Sequence, residues 1–332
     1  RGHILHDYIE ARLMPSIVGP VGRGTMQYAQ MWKAAQRQTT KPVKFGTVTP
    51  ELVAFAVQDF YYKDVRERIW AISNAFNEEL HALADAGCPV IQMEEPQIHL
   101  LAARGVVDKV INPEFMLEVF NNTVRGLRDK TEVWCHTCWG NPSQQRMFAQ
   151  VQSYKSALDM LNKVDADVIT FESCSAGGMD LEDFGKIITD KKIAIGVIDH
   201  HSLQVERPEE VAAHIRHALK HIPAERLVIS SDCGMGREGM SRRHAFYKMV
   251  SLVLGTNIVR RELGLPEAPC PAADGRSSQS KNASSAAAFN TVMSTKGPQS
   301  KRLMRKSAGS VASTARKSRP RPRPKRRSAS RA

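Results

Sequence analysis

Val168-Ile-Thr-Phe171 and Ile193-Ala-Ile-Gly-Val-Ile198 present apolar side chains to both faces of the chain. Parallel strands covered by helices on each side have this pattern. Extended to their polar ends, these runs are Asp167–Glu172 and Ile193–Asp199. Five more of the kind occur at Ser16–Val21, Val43–Val48, Pro89–Glu94, Glu132–Thr137 and Arg226–Asp232. The segments between them read as helices. Pro208 is a natural first-turn residue, followed by Val211, Ile215, Leu219 and Ile222 at helical spacing. Glu51 to Ala86 reads as mostly helical, stopping at Gly87. Ser241 to Leu263 supplies a last long helix, with Phe246, Met249, Val250 and Val253 expected inward.

Seven strands, each followed by a crossover, fit an α/β barrel or an open doubly wound sheet. No glycine-rich phosphate loop follows the first strand, which disfavours a dinucleotide-binding sheet. The strand pattern alone leaves both standing, with an α/β, TIM-type (β/α)8 barrel over residues 1–268 favoured. A barrel takes about eight strands. With no room for another before Ser16, its first strand is expected upstream of Arg1.

The net charge of +13 suggests a polyanion partner, but its distribution argues otherwise. From Pro271 to Ala332 there are 16 Lys and Arg and one acidic residue, a local charge of +15 that leaves −2 on the rest. Residues 269–332, rich in Ser, Ala, Pro and Arg, are expected to be a disordered tail. Nucleic-acid contact is expected only weakly, through that tail. No apolar run approaches the ~18 residues that span a bilayer. The six cysteines are too few for a disulfide framework, so a reducing cytoplasm and free thiols are expected.

Reactive side chains crowd the C-terminal ends of the later strands: Trp134-Cys-His-Thr-Cys138, Thr170-Phe-Glu-Ser-Cys174, Ile198-Asp-His-His-Ser202 and Ser230-Ser-Asp-Cys-Gly234. In a barrel those ends converge on one mouth. His136 and Cys138 are two apart and share a face, whereas Cys135 points to the helix layer. With Glu172 and Cys233 they give one imidazole, two thiolates and one carboxylate from three strand ends, a donor set that suits tetrahedral zinc. Cys174 shares the face of Glu172 and is a rival ligand.

The sequence resembles the C-terminal catalytic barrel of cobalamin-independent methionine synthase. The matching pieces are Lys41-Pro-Val-Lys44, Val90-Ile-Gln-Met-Glu-Glu-Pro96, His136-Thr-Cys138, Asp167-Val-Ile-Thr-Phe-Glu172, Asp199-His-His-Ser202 and Ile222-Pro-Ala-Glu-Arg-Leu227 leading to Asp232-Cys-Gly234. The resemblance runs from about Ser16 to Leu263. It implies a Zn2+ site at His136, Cys138, Glu172 and Cys233, and methyl transfer to homocysteine from methyltetrahydrofolate or a methylcorrinoid. It also implies that His201 is the proton donor to the departing nitrogen, with Asp199 orienting it or lining the pocket. Glu94 falls where the family has an Asp that holds the substrate ammonium. Glu95 reads as a second pocket carboxylate or as a structural partner.

Three departures accompany the resemblance. The family's second, N-terminal barrel is not in this chain, and its stacking Trp corresponds to Ala56. His136-Thr-Cys138 continues as Trp139-Gly-Asn-Pro-Ser-Gln-Gln-Arg146, which is similar to the single-barrel branch. That branch includes enzymes joining coenzyme M thiolate to epoxides, so a zinc alkyltransferase using another thiol is the alternative.

Overall fold

The computed structural model describes residues 15–25, 27–105, 110–139, 153–236 and 240–273. Nearly all of the expected basic tail, and the sequence from 140 to 146, lie outside the described residues.

Eight strands are present among the described residues: β1 (Ser16–Ile17), β2 (Phe45–Val48), β3 (Gln58–Asp59), β4 (Val90–Glu94), β5 (Glu132–His136), β6 (Val168–Phe171), β7 (Lys192–Gly196) and β8 (Leu227–Ser230). Six of them form one continuous parallel sheet in the order β2-β4-β5-β6-β7-β8. Helices lie between successive strands of this sheet along the chain. Every residue of β6 is buried, as its apolar run requires. On β4 and β5 burial alternates: Ile91, Met93, Val133 and Cys135 pack into the helix layer, while Gln92, Glu94 and Trp134 lie on the other face.

The strand expected over Ser16–Val21 shrinks to two residues and pairs with β3, apart from the six-stranded sheet. Pro20 has no N–H to extend a ladder, Gly19 has no side chain to bury, and Val18 is 79% exposed. The helix expected from Glu51 to Ala86 is two helices, Pro50–Ala56 and Val65–Asp85, separated by β3. The first helix ends where Val57 turns extended, and Asp59 holds the turn that follows β3. Its Oδ1 accepts from the backbone N–H groups of Tyr61 and Tyr62, both at 3.0 Å, and this local turn replaces helical bonds. Asp64 then caps the second helix by accepting from Arg66 N at 2.7 Å. That helix ends at Gly87, whose φ of 96° suits a residue without Cβ.

The helix Pro208–Ala218 buries Val211 and Ile215 as its spacing predicts. The helix Arg242–Glu262 does not follow its large apolar residues: Phe246 and Met249 are exposed, whereas Lys248, Ser251 and Gly255 are buried. Close approach decides the orientation. A Cβ on Gly255 would sit 2.5 Å from Val211 Cβ and 2.6 Å from Pro208 O, so the small-residue stripe must face the helix Pro208–Ala218. Glycine is needed again at Gly196, where a Cβ would overlap Asp232.

Gly255→Ala pits two effects against each other. Helix propensity alone would raise stability by about 1 kcal/mol. Overpacking at a backbone contact costs about 1–3 kcal/mol. The variant is expected to unfold at lower urea than the parent, and a higher midpoint would refute the packing account.

Candidate metal centre and its surroundings

The strand register sets out the site. Val48, Glu94, His136 and Thr170 stand opposite one another on β2, β4, β5 and β6. Each chain segment that leaves these strands therefore emerges at the same rim. His136 Nδ1 lies 2.6 Å from Thr170 Oγ1, which fixes the ring. Its Nε2 lies 3.5 Å from Glu94 Oε2. Cys138 follows the same strand, and Cys233 follows β8. Their sulfurs are 3.5 Å apart. The ligand atoms of His136, Cys138 and Cys233 all lie within 4.8 Å of one another, and all three residues are buried.

This donor set fits a thiophilic divalent cation such as zinc. Contact with Cys138 holds the Cys233 thiol well below the usual thiol range, against the opposing effect of burial and with help from His136. Burial pulls His136 down, but Cys233 and Glu94 outweigh it and raise the imidazole above its ordinary value. The cluster thus favours a deprotonated sulfur, the form that binds metal. The Thr170 contact supplies the outer-shell orientation that metal-bound histidines commonly have.

The expected fourth ligand is Glu172. It follows β6 and is buried, but it stands outside the His136–Cys138–Cys233 group. Its Oε2 accepts from Trp139 N at 2.9 Å and its Oε1 from Ser175 Oγ at 2.7 Å. Oε1 also lies 3.6 Å from His201 Nδ1, and Glu172, His200 and His201 form a second cluster. Oε2 is thus held at the residue after Cys138, while Oε1 faces His201. Cys174, the rival ligand, is in neither group. Cys135 is fully buried in the helix layer, and burial pushes its thiol well above the usual range, which makes it inert.

Asp199 and His201 are brought together. Asp199 Oδ1 accepts from His201 N at 2.7 Å and lies 3.7 Å from His201 Nδ1. Glu94 Oε1 accepts from Gln92 Nε2 at 2.6 Å. Glu95, expected as a pocket carboxylate or a structural partner, makes local backbone contacts. It is fully buried, and its Oε1 accepts from Gln97 N and Ile98 N, at 2.7 and 2.9 Å, at the start of the helix Gln97–Ala103. Burial and the neighbouring Glu51 push its carboxyl well above the usual range.

Three supporting groups are absent from the sequence reading. Glu51 is the buried partner of Glu95. His99 lies against Trp139 and Tyr154, and its Nε2 is 2.9 Å from Cys138 O, bracing the loop that carries the thiol. Lys248 is fully buried and paired with Glu206 at 2.7 Å. Its signal was available, because Lys248, Ser251 and Gly255 form a small and polar stripe at helical spacing.

A thiol–imidazole cluster at the strand ends of an α/β barrel is a candidate site for a thiophilic metal ion. The family profile described as the catalytic domain of cobalamin-independent synthase matches residues 2–253, and the chain belongs to that family. A methionine synthase of Saccharolobus solfataricus is 29% identical over 250 residues, covering 75% of this chain and 68% of that protein. One from Saccharolobus islandicus is 30% identical over 224 residues, 60% of its length. The chain thus spans between three-fifths and two-thirds or so of these relatives. Among solved structures, a B12-independent methionine synthase from Shewanella in complex with selenomethionine matches with TM-score 0.65 and 28% identity, covering 75% of this chain and 71% of that one. A putative enzyme of the same type from Listeria monocytogenes shares the fold at TM-score 0.54 and 19% identity. Among the described residues, no helix is long and apolar enough to cross a membrane.

One electrostatic prediction concerns His214, which lies 2.9 Å from Ser173 Oγ and which burial pulls down to about 4. Between that value and the ordinary 6.5 the unfolded chain binds the proton and the folded chain does not. Its contribution to stability is therefore complete above pH 6.5 and is lost as pH falls toward 4. His214→Gln should flatten this limb in urea titrations from pH 7 to 4. An unchanged slope would refute the burial assignment.

Proposed function

We propose that this chain is a zinc-dependent S-methyltransferase that transfers a methyl group to homocysteine to form methionine. The observation that carries the reading is the convergence of the His136, Cys138 and Cys233 ligand atoms within 4.8 Å. Family membership supports it independently. In this reading those three residues hold the zinc, with Glu172 as fourth donor. Bound there, zinc would supply the means to keep a substrate thiol deprotonated near neutral pH.

The remaining roles belong to the chain's own side chains. Glu94 offers a carboxylate beside His136 and would hold the α-ammonium of the substrate. The homocysteine sulfur forms a bond to the methyl carbon while the bond from that carbon to the donor breaks. The released electron pair stays on the donor, and where the donor is methyltetrahydrofolate it resides on nitrogen, which takes a proton from His201. Asp199 holds the His201 backbone and faces its ring, which orients that transfer. The donor is methyltetrahydrofolate or a methylcorrinoid. A reducing, cytoplasmic setting would keep the thiols free.

Purified chain is expected to carry about one zinc per molecule by elemental analysis. It should consume methyltetrahydrofolate or methylcobalamin only when homocysteine is added. Zinc-loaded chain that turns over neither donor would refute the reading, and a thermal shift with coenzyme M but not homocysteine would favour the alkyltransferase alternative. Thr170→Val should weaken zinc binding roughly 10–100-fold in chelator competition, as loss of an outer-shell partner does. Unaltered affinity would show that the hydroxyl does not orient His136.

A further inference from the structure

The loop after β7 carries Asp199 and His201, and a buried ion pair from distant sequence grips it. Lys248, in the first half of the helix Arg242–Glu262, is fully buried. Its Nζ donates to Glu206 Oε1 at 2.7 Å and to the backbone oxygen of Asp199 at 3.0 Å. The same Glu206 Oε1 accepts from Asp199 N at 3.0 Å. The Asp199 residue is therefore held at both its N–H and its C=O. Ser251, one turn beyond Lys248, donates its hydroxyl to Glu206 O. From Asp199 the constraint passes on through Oδ1 to His201 N at 2.7 Å, and the His201 ring then faces Glu172 at 3.6 Å.

We propose that Lys248 and Glu206 are positioning residues that set where the His201 imidazole stands relative to Glu172 and the metal cluster. The proposal rests on the reading of His201 as the proton donor. Its physical basis is cost. A buried ammonium is tolerated only when paired and hydrogen-bonded, and an apolar residue would fill this helix–loop contact at no such cost. Neither partner of the pair belongs to the His136–Cys138–Cys233 group or to the Glu172–His200–His201 group. What the pair specifies is the conformation of one residue, Asp199, and through it the neighbour two positions on. Placement errors of an ångström at such a group lower turnover far more than they lower binding.

The test uses the full chain with Lys248→Met and Glu206→Gln combined, so that neither charge is left buried alone. The double variant should unfold cooperatively, keep its zinc, and keep the KM for homocysteine within about twofold while kcat falls roughly tenfold or more. Amide hydrogen exchange at Asp199 and His201 should quicken roughly tenfold, with strand amides unchanged. Lys248→Arg, which keeps charge and donors, should retain most of the turnover. An unchanged kcat in the folded double variant, or a KM that rises in step with the fall in kcat, would overturn the proposal. Should the double variant not fold, Glu206→Gln alone is read by the same criteria. Should the parent chain methylate no thiol, the functional reading fails on its own. The exchange measurement then decides: faster exchange confined to the loop upholds the positioning role, and unchanged exchange ends it.

Discussion

Two thiols and an imidazole packed together out of water are a constraint that the surrounding structure has to meet. Burial alone would keep Cys233 protonated, as it does Cys135. The balance tips because Cys138 lies 3.5 Å from the Cys233 sulfur and His136 adds an attraction for negative charge. A buried charge is costly unless it is paired, and the pairing requires all three atoms to be held close at once. No short segment can supply all three, since Cys233 lies 95 residues beyond Cys138. Parallel strands can, because every strand of such a sheet ends on the same side and the register aligns Glu94, His136 and Thr170 in one row.

The layers behind the site hold that row still. On the helix side, Cys138 is braced through its carbonyl by His99, which is itself wedged between Trp139 and Tyr154. Tyr154 packs in turn on Phe171 and Phe184, which stack at 4.1 Å. At the same rim, Asp232 accepts from the N–H groups of Ser173, Cys174 and Ser175 and so ties the segment after β6 to the one after β8. Burial, with the Glu172 charge second, pushes Asp232 up to about 7 despite those three bonds. The contact is close enough that only glycine fits at position 196 beneath it.

Much of this was legible from residue order. The apolar runs marked the strands of the main sheet, and period-two alternation separated Cys135 from His136. The clustering of His, Cys, Asp and Glu after strands pointed to one rim. Other features depend on distances that no spacing encodes. Phe246 and Met249 looked like a core face, but contact at Gly255 and the Lys248–Glu206 pair turned the helix the other way. The run from Glu51 to Ala86 looked continuous because Asp59 resembles any surface acid until its bonds to Tyr61 and Tyr62 are seen. Glu172 shares the rim with the thiols, and no spacing encodes that one oxygen accepts from the Trp139 N–H, next to Cys138, while the other accepts from Ser175 and faces His201. Glu95 differs from Glu94 in facing the opposite layer, and a strand's alternation allows both roles until the helix start at Gln97 is located.

The polar groups on the sheet face that carries Glu94 form a linked set. Lys44 donates to Gln92 at 2.6 Å while lying 4.1 Å above the Trp134 ring, and this leaves the Gln92 amide nitrogen to donate to Glu94. Trp134 donates to Glu132, whose second oxygen accepts from Lys192 at 3.1 Å. Each oriented group fixes the donor or acceptor sense of the next. One oxygen of Glu94 is thereby committed to Gln92 and the other directed at His136. A glutamate is one methylene longer than an aspartate, and an untethered carboxylate of that length could swing away from the row. The Gln92 tether along the same strand removes that freedom. The charge beside the cluster is thus set by the strand register and an amide as much as by the carboxylate itself.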